Sequence, residues 1–250
     1  MERFLERVSI SKYHSNIVLK GGVLIASIVG LEKRSTLDID ATVKEYGLDE
    51  SLVYKLVEDI INIELADNVS FEILNVTTIM PGLEYPGIRV SLVSRIDEMR
   101  IPLKLDFSTG DIITPKEIIY EYGLMFEDRK IHLLAYNTET ILAEKFETII
   151  SRGTANSRMR DFYDVYMLLN IGSTISEVTI ENALSNTAEN RGSNLLMKEW
   201  ETIINEIASD SGITSLWKSY QKKYDYAAEI SWDEIISAVK ILGCIMSDEF

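Results

Sequence analysis

Two aspartates, Asp38 and Asp40, stand one residue apart in the alternating stretch Leu37-Asp38-Ile39-Asp40-Ala41. A strand sends successive side chains to opposite faces, so both carboxylates point to the same side. Two carboxylates one pleat apart repel each other unless a cation sits between them. Hard cations such as Mg²⁺ take oxygen ligands and keep water and phosphate oxygens in their remaining positions. The spacing therefore points to a metal held at the end of a strand, with phosphate as its natural companion.

The neighbouring chain supplies elements to carry such a pair. Ile17-Val18-Leu19 reads as a strand that stops at Gly21-Gly22, and Val23 to Val29 has helical length and composition, with Gly30 as a stop. Further on, Ile101 to Phe107 reads as a strand whose Pro102 fits a start or an edge. There Lys104 and Asp106 share one face, opposite Leu103, Leu105 and Phe107. Asp106 is either a third carboxylate or a solvent-facing residue of a half-exposed sheet. Asp111, in the turn of residues 108–111, is an alternative beyond the regular strand.

A second set of charged residues lies on predicted helices. Asn137 or Thr138 caps a helix to about Ile150, and Lys145 sits within its apolar stripe, four residues from both Ile141 and Ile149. A lysine there must be paired or functional, or must snorkel at the helix edge. Residues 151–160 contain Arg152, Arg158 and Arg160 and no acid. Arginine forks suit phosphate oxygens, although a solvated loop balancing nearby acids is the commoner case. The following helix, Arg158 to Leu169, places Asp161 on the face of Val165 and Leu168, with Asp164 on the same side. Asp161 then pairs with Lys145 to position it, and Asp164 forms an ion pair with Arg158 or Arg160.

The remaining elements are ordinary. Residues 2–13 and 51–62 read as amphipathic helices, and Val69–Val76 and Ile88–Val93 as strands, with Arg89 and Ser91 opposite the apolar face of the latter. Turn signals fall at Lys44 to Gly47, Met80-Pro81-Gly82 and Tyr85-Pro86-Gly87. Beyond Ile171 the pattern is helical, with breaks near Gly172, Arg191-Gly192 and Ser211-Gly212. Trp217, Tyr220, Tyr224 and Tyr226 lie among Lys218, Lys222 and Lys223. Such a mixture can stack nucleotides, but at helical spacing it reads first as core. The fold class is α/β: a mixed sheet with flanking helices over residues 1–135, then a helical region over 136–250.

Composition narrows the function. The 250 residues can bury a proper core. The net charge of −15 argues against a broad non-specific nucleic-acid surface, and suits a partner with a basic face. Two histidines and one cysteine leave no material for a zinc cluster, and the lone Cys244 suits a reducing cytoplasm. No apolar run is long enough to span a membrane, and the N-terminus lacks a signal-peptide core.

The stretch from Lys20-Gly21-Gly22 to Asp38-Ile39-Asp40 resembles the nucleotidyltransferase superfamily, and within it the AbiEii/AbiGii toxins of bacterial toxin–antitoxin and abortive-infection (phage-defence) systems. Arg34-Ser35-Thr36-Leu37-Asp38-Ile39-Asp40 matches that group's pattern, with Thr36 where serine is usual. Leu142-Ala143-Glu144-Lys145 and Arg160-Asp161-Phe162-Tyr163-Asp164 match its two downstream motifs. The group often carries a helical segment before this point, so the chain reads as a short version or a fragment. The resemblance implies Mg²⁺ or Mn²⁺ held by Asp38, Asp40 and Asp106, with Asp106 also the general base. It implies a nucleoside triphosphate met by Gly21, Gly22, Thr36, Lys145 and Arg160, with catalytic support from Asp161. It further implies an RNA acceptor such as a tRNA 3′ end, a separately encoded antitoxin and a cytoplasmic setting without a membrane. Transfer to a small molecule, and a non-catalytic nucleotide- or partner-binding module, are the alternative readings.

Overall fold

The computed structural model describes residues 1–44, 49–79, 86–172 and 175–245. The turn signals at 45–47 and 80–85 lie outside them. Two compact units emerge. The first comprises Met1–Ile28, Ser35–Asp111 and Glu117–Tyr136, and the second Val29–Arg34, Ile112–Lys116 and Asn137–Phe250.

The first unit is built on strands β1 (Ile17–Lys20), β2 (Asp38–Val43), β3 (Val69–Ile79), β4 (Gly87–Ile96), β5 (Met99–Ser108), β6 (Ile118–Gly123) and β7 (Lys130–Ala135). Among the described residues they form one sheet of order β3-β4-β5-β2-β1-β7-β6. It is mixed: β1 runs parallel to β7 and β2 parallel to β5, and the other neighbours are antiparallel. One face is covered by α1 (Glu2–Ile10), whose Phe4, Leu5 and Val8 meet Ile17, Leu19, Ile39, Ala41, Phe107 and Leu133 around a small apolar gap. Helix α2 (Gly21–Val29) follows β1 directly, and α3 (Glu50–Ile61) buries Val53, Leu56, Val57 and Ile60. Asp49 caps α3 by accepting the Leu52 N–H at 2.7 Å.

Several boundaries differ from the sequence reading. The first helix stops at Ile10 rather than residue 13, where Ser11 turns to extended backbone. Helix α2 starts at Gly21 directly after β1, so the Gly-Gly turn is continuous with the helix rather than separated from it. Residues 112–130 carry no element in the sequence reading, yet Ile118–Gly123 pair with β7 as an edge strand. Pro102 lies opposite Val93 but ahead of Lys104, where pairing with β2 begins. At this proline β5 therefore has a paired strand on one side only.

The second unit is helical: α4 (Thr138–Arg152), α5 (Met159–Asn170), α6 (Glu177–Arg191), α7 (Asn194–Lys198), α8 (Trp200–Ser209), α9 (Ser211–Lys223) and α10 (Trp232–Ile245). Asn137 caps α4, and its amide also donates to the Thr114 carbonyl at 2.8 Å, which ties in the segment Ile112–Lys116. Trp217 is buried, with Tyr220 stacked on it and Trp232 tilted against it, so these aromatics are core as their helical spacing predicts. Gly192 ends α6 in the left-handed conformation, as the Arg191-Gly192 break predicts.

Candidate active site

The sheet face opposite α1 is polar near its centre. Strand register aligns Arg89 of β4, Asp106 of β5, Asp40 of β2 and Lys20 of β1 in one row, because Lys20 pairs with Asp40, Asp40 with Asp106, and Asp106 with Arg89. Asp38 lies one pleat along β2, opposite Lys104. The alternation of β2 thus brings Asp38 and Asp40 to one face, with Ile39 and Ala41 buried on the other.

The Gly21-Gly22 turn is packed on this row. Gly21 has φ +66°, and a Cβ built there would lie 2.2 Å from Asp40 Oδ2. Only glycine tolerates both the backbone angle and the contact. The Gly22 N–H donates to the same oxygen at 3.3 Å. Thr36 steadies the approach to β2 by donating its hydroxyl to the Asp38 carbonyl at 3.3 Å.

The two cations of the row are both engaged. Arg89 holds Asp106 in a fork, Nε to Oδ1 at 2.7 Å and Nη2 to Oδ2 at 2.6 Å. Lys20 Nζ donates to Asp111 Oδ2 at 2.7 Å, and that oxygen also accepts from Thr42 at 2.7 Å and Ser108 at 2.5 Å. Burial pushes the Asp111 carboxyl up, but Lys20 and the two hydroxyls outweigh it and hold its pKa below the ordinary value. Asp111 is therefore the partner of Lys20.

These residues pass a chemical test for a hard divalent ion in part. The donors are all carboxylate oxygens, which suits Mg²⁺ or Mn²⁺. Asp38 and Asp40 share a face, and the glycine cradle fixes Asp40. Asp106 stands beside Asp40 in register, but both its oxygens face Arg89. Among the described residues, no three His, Cys, Asp or Glu side chains gather closely enough to hold a metal ion.

The second unit holds a chain of alternating charges. Arg34 donates to Asp164 (Nε to Oδ1, 2.6 Å), Lys145 Nζ reaches Asp164 at 2.9 Å and Asp161 at 2.6 Å, and Arg158 Nε lies 2.7 Å from Asp161. Asp161 and Asp164 are buried, as is Arg34, while Arg158 is exposed. Burial pulls the Lys145 ammonium down, and Asp164 and Asp161 outweigh it and leave its pKa above the ordinary lysine value. Burial likewise pushes Asp164 up, and Lys145 and Arg34 reverse this. The pairing of Asp161 with Lys145 stands as the sequence suggests. Asp164 does not pair with Arg158 or Arg160. Its partners are Lys145 and Arg34, because Arg158 turns to Asp161 while Arg160 donates to the Tyr224 hydroxyl at 2.8 Å.

Three partners go unnoticed in the sequence. Arg34 lies in a matched motif but carries no role there. Arg89 reads simply as the polar face of a strand. A two-residue turn at Asp97-Glu98 would have placed it opposite Asp106, since hairpin register follows from the turn. Nothing in the sequence ties Lys20 to Asp111.

The sheet and its glycine-supported carboxylate pair define a nucleotidyltransferase-like fold, and comparison with known proteins agrees. Two solved structures from Helicobacter pylori superpose on it, JHP933 and a protein described as a candidate nucleotidyltransferase. Both have a TM-score of 0.52 and cover 100% of this chain, at 12% and 13% identity. The superpositions span 91% and 94% of those chains. No curated protein matches the sequence. The model of the AbiEii nucleotidyl transferase toxin family, type IV toxin–antitoxin system, matches residues 3–238, and the chain belongs to that family. It is accordingly a nucleotidyltransferase of the toxin class, and that class implies an antitoxin partner. No helix among the described residues is long and apolar enough to cross a membrane.

Proposed function

We propose that the chain transfers a nucleoside monophosphate from a nucleoside triphosphate to a hydroxyl of RNA, releasing pyrophosphate, and that the acceptor is a tRNA 3′ end. The observation that carries this reading is the glycine turn packed against Asp40 on the strand that also presents Asp38. Asp38 and Asp40 would hold a divalent ion, with Asp106 as the third carboxylate. When bound, the ion supplies charge neutralisation to the triphosphate and a more acidic acceptor hydroxyl.

The protein's own groups do the rest. The start of α2 offers backbone N–H groups to phosphate without a side chain in the way. Asp106 accepts the acceptor's proton, and so must be free of Arg89 when it acts. Lys145 is the phosphate-directed cation of the second unit, with Asp161 and Asp164 fixing its position. Thr36 orders the entry to β2, and Arg160 is an exposed guanidinium available to RNA phosphate. The setting is the cytoplasm, and the outcome is growth arrest of the kind that limits phage.

Label transfer tests this directly. The chain and an Asp38→Ala control are incubated with Mg²⁺, each α-labelled nucleoside triphosphate in turn, and total tRNA. Label in RNA with the intact chain alone is the expected result. Pyrophosphate release without labelled RNA points to a small-molecule acceptor, which the net charge of −15 would favour if that molecule is cationic. Absence of both nucleotide binding and pyrophosphate release overturns the reading.

A further inference from the structure

The transfer reaction as proposed has no use for Arg89, yet Arg89 occupies Asp106, the carboxylate proposed as third ligand and proton acceptor. Its fork is bidentate and takes both oxygens of Asp106. The β4–β5 hairpin holds the two residues opposite each other by register, so the pairing follows from the backbone as well as from side-chain rotation. Asp38 and Asp40 lie close enough for their charges to add to that of Asp106 in holding the guanidinium's pKa above its ordinary value. Arg89 thus balances a face that carries three carboxylates on two neighbouring strands.

The pair sits where it can open. The Arg89 side chain is 36% exposed and that of Asp106 18%. Water reaches both partners and can replace their hydrogen bonds when the fork opens. The buried pairs of the second unit, by contrast, leave Asp164 no solvent at all. A guanidinium that leaves Asp106 is suited to phosphate oxygens, which present the same planar pair of acceptors.

We propose that Arg89 is the built-in counter-cation of the carboxylate face and competes with the divalent ion for Asp106. Asp38 and Asp40 then take the ion first, and Asp106 joins only when an incoming triphosphate draws Arg89 away. This rests on the metal-dependent transfer reading given above, and it makes Arg89 a positioning residue that couples metal binding to nucleotide binding.

The test reads metal affinity without turnover. Mn²⁺ is titrated into the wild type, Arg89→Gln, Asp106→Asn and the double variant, with bound ion followed by electron paramagnetic resonance and calorimetry. Each titration is run without nucleotide and with a non-hydrolysable ATP analogue, after circular dichroism has shown native secondary structure. Without nucleotide, Arg89→Gln should bind Mn²⁺ roughly two- to fivefold more tightly than the wild type, the size expected for freeing a partly exposed ion pair. That gain should vanish in the double variant. The analogue should close the gap between wild type and Arg89→Gln. Arg89→Lys, which keeps the charge but loses the fork, should fall between the two and serves if Arg89→Gln fails to fold. Equal Mn²⁺ affinity in wild type and Arg89→Gln overturns the competition, as does a gain that persists undiminished in the double variant. If Mn²⁺ binds to none of the proteins, with or without the analogue, the metal-dependent reading itself fails and the competition falls with it.

Discussion

Arg34 and Asp164, 130 positions apart in the sequence, form a buried two-point pair, with Nε on Oδ1 at 2.6 Å and Nη2 on Oδ2 at 3.3 Å. Asp164 also carries Lys145, so one carboxylate holds two cations in the interior of the second unit. Removing one partner of such a pair leaves a charge that burial cannot tolerate. Arg34→Met should therefore cost about 3 kcal/mol, the lower end for a broken buried pair because Lys145 still serves Asp164. Urea unfolding checks this, and Arg158→Ala, which removes the exposed end of the same charge chain, should cost well under about 1 kcal/mol.

The same pair sets an acid limit. Asp164 titrates below its ordinary value in the folded chain, since Lys145 and Arg34 outweigh the penalty of burial. A depressed carboxyl contributes stability above its unfolded pKa of about 3.9, and that contribution is lost as pH falls toward the folded value. Lys145 is raised, so its contribution is complete below about pH 10.4 and is lost only as pH climbs through its folded value. Unfolding midpoints should therefore drop below about pH 4 in the wild type. In Asp164→Asn the drop should be shallower, from a lower starting stability. Equal slopes in the two proteins would remove Asp164 from the account.

Local pattern shows much of this protein, and long-range pairing shows little of it. The period of two in residues 37–41 puts Asp38 and Asp40 on one face, and the period of helix α4 puts Lys145 in a buried stripe. Both follow from backbone geometry within a few residues. The edge strand Ile118–Gly123 is missing from the sequence reading because its exposed Ile118 and Ile119 break the alternation of a half-buried strand. Arg34, Arg89 and Asp111 are harder for a different reason. Each acquires its role from a partner on another element, and side-chain type alone does not say which cation meets which carboxylate. The misassigned partner of Asp164 is the clearest case. Arg158 and Arg160 are near in sequence, but helix phase sends one to Asp161 and the other to Tyr224.

Gly243 on α10 offers a purely structural contrast. A Cβ there would lie 2.5 Å from the Trp200 ring, a rigid neighbour that cannot swing aside as a lysine tip could. Gly243→Ala should cost about 1–3 kcal/mol through overpacking, offset in part by the better helix propensity of alanine. Thermal unfolding reads the loss. Nucleotide affinity at temperatures where the variant is folded should match the wild type, and a change there would mean that α10 does more than pack.

Gly21 combines a left-handed backbone with a side chain pressed onto its Cα. An alanine methyl would meet Asp40 Oδ2 at 2.2 Å, and the oxygen cannot yield without giving up the N–H of Gly22. The strain at φ +66° costs roughly 1 kcal/mol or somewhat more, which a folded domain survives. On the proposed role of Asp40 as a metal ligand, its displacement is the larger effect, because shifting a reacting group by about 1 Å can cost about a hundredfold in rate. Gly21→Ala should thus remain folded while losing about a hundredfold in pyrophosphate release or label transfer. Gly123→Ala is the matched control, since a Cβ there meets nothing within 4 Å. Its activity and melting temperature should stay near those of the wild type. If Gly21→Ala keeps full activity, Asp40 is free to move without consequence, and the glycine turn no longer supports the catalytic role proposed for Asp38 and Asp40.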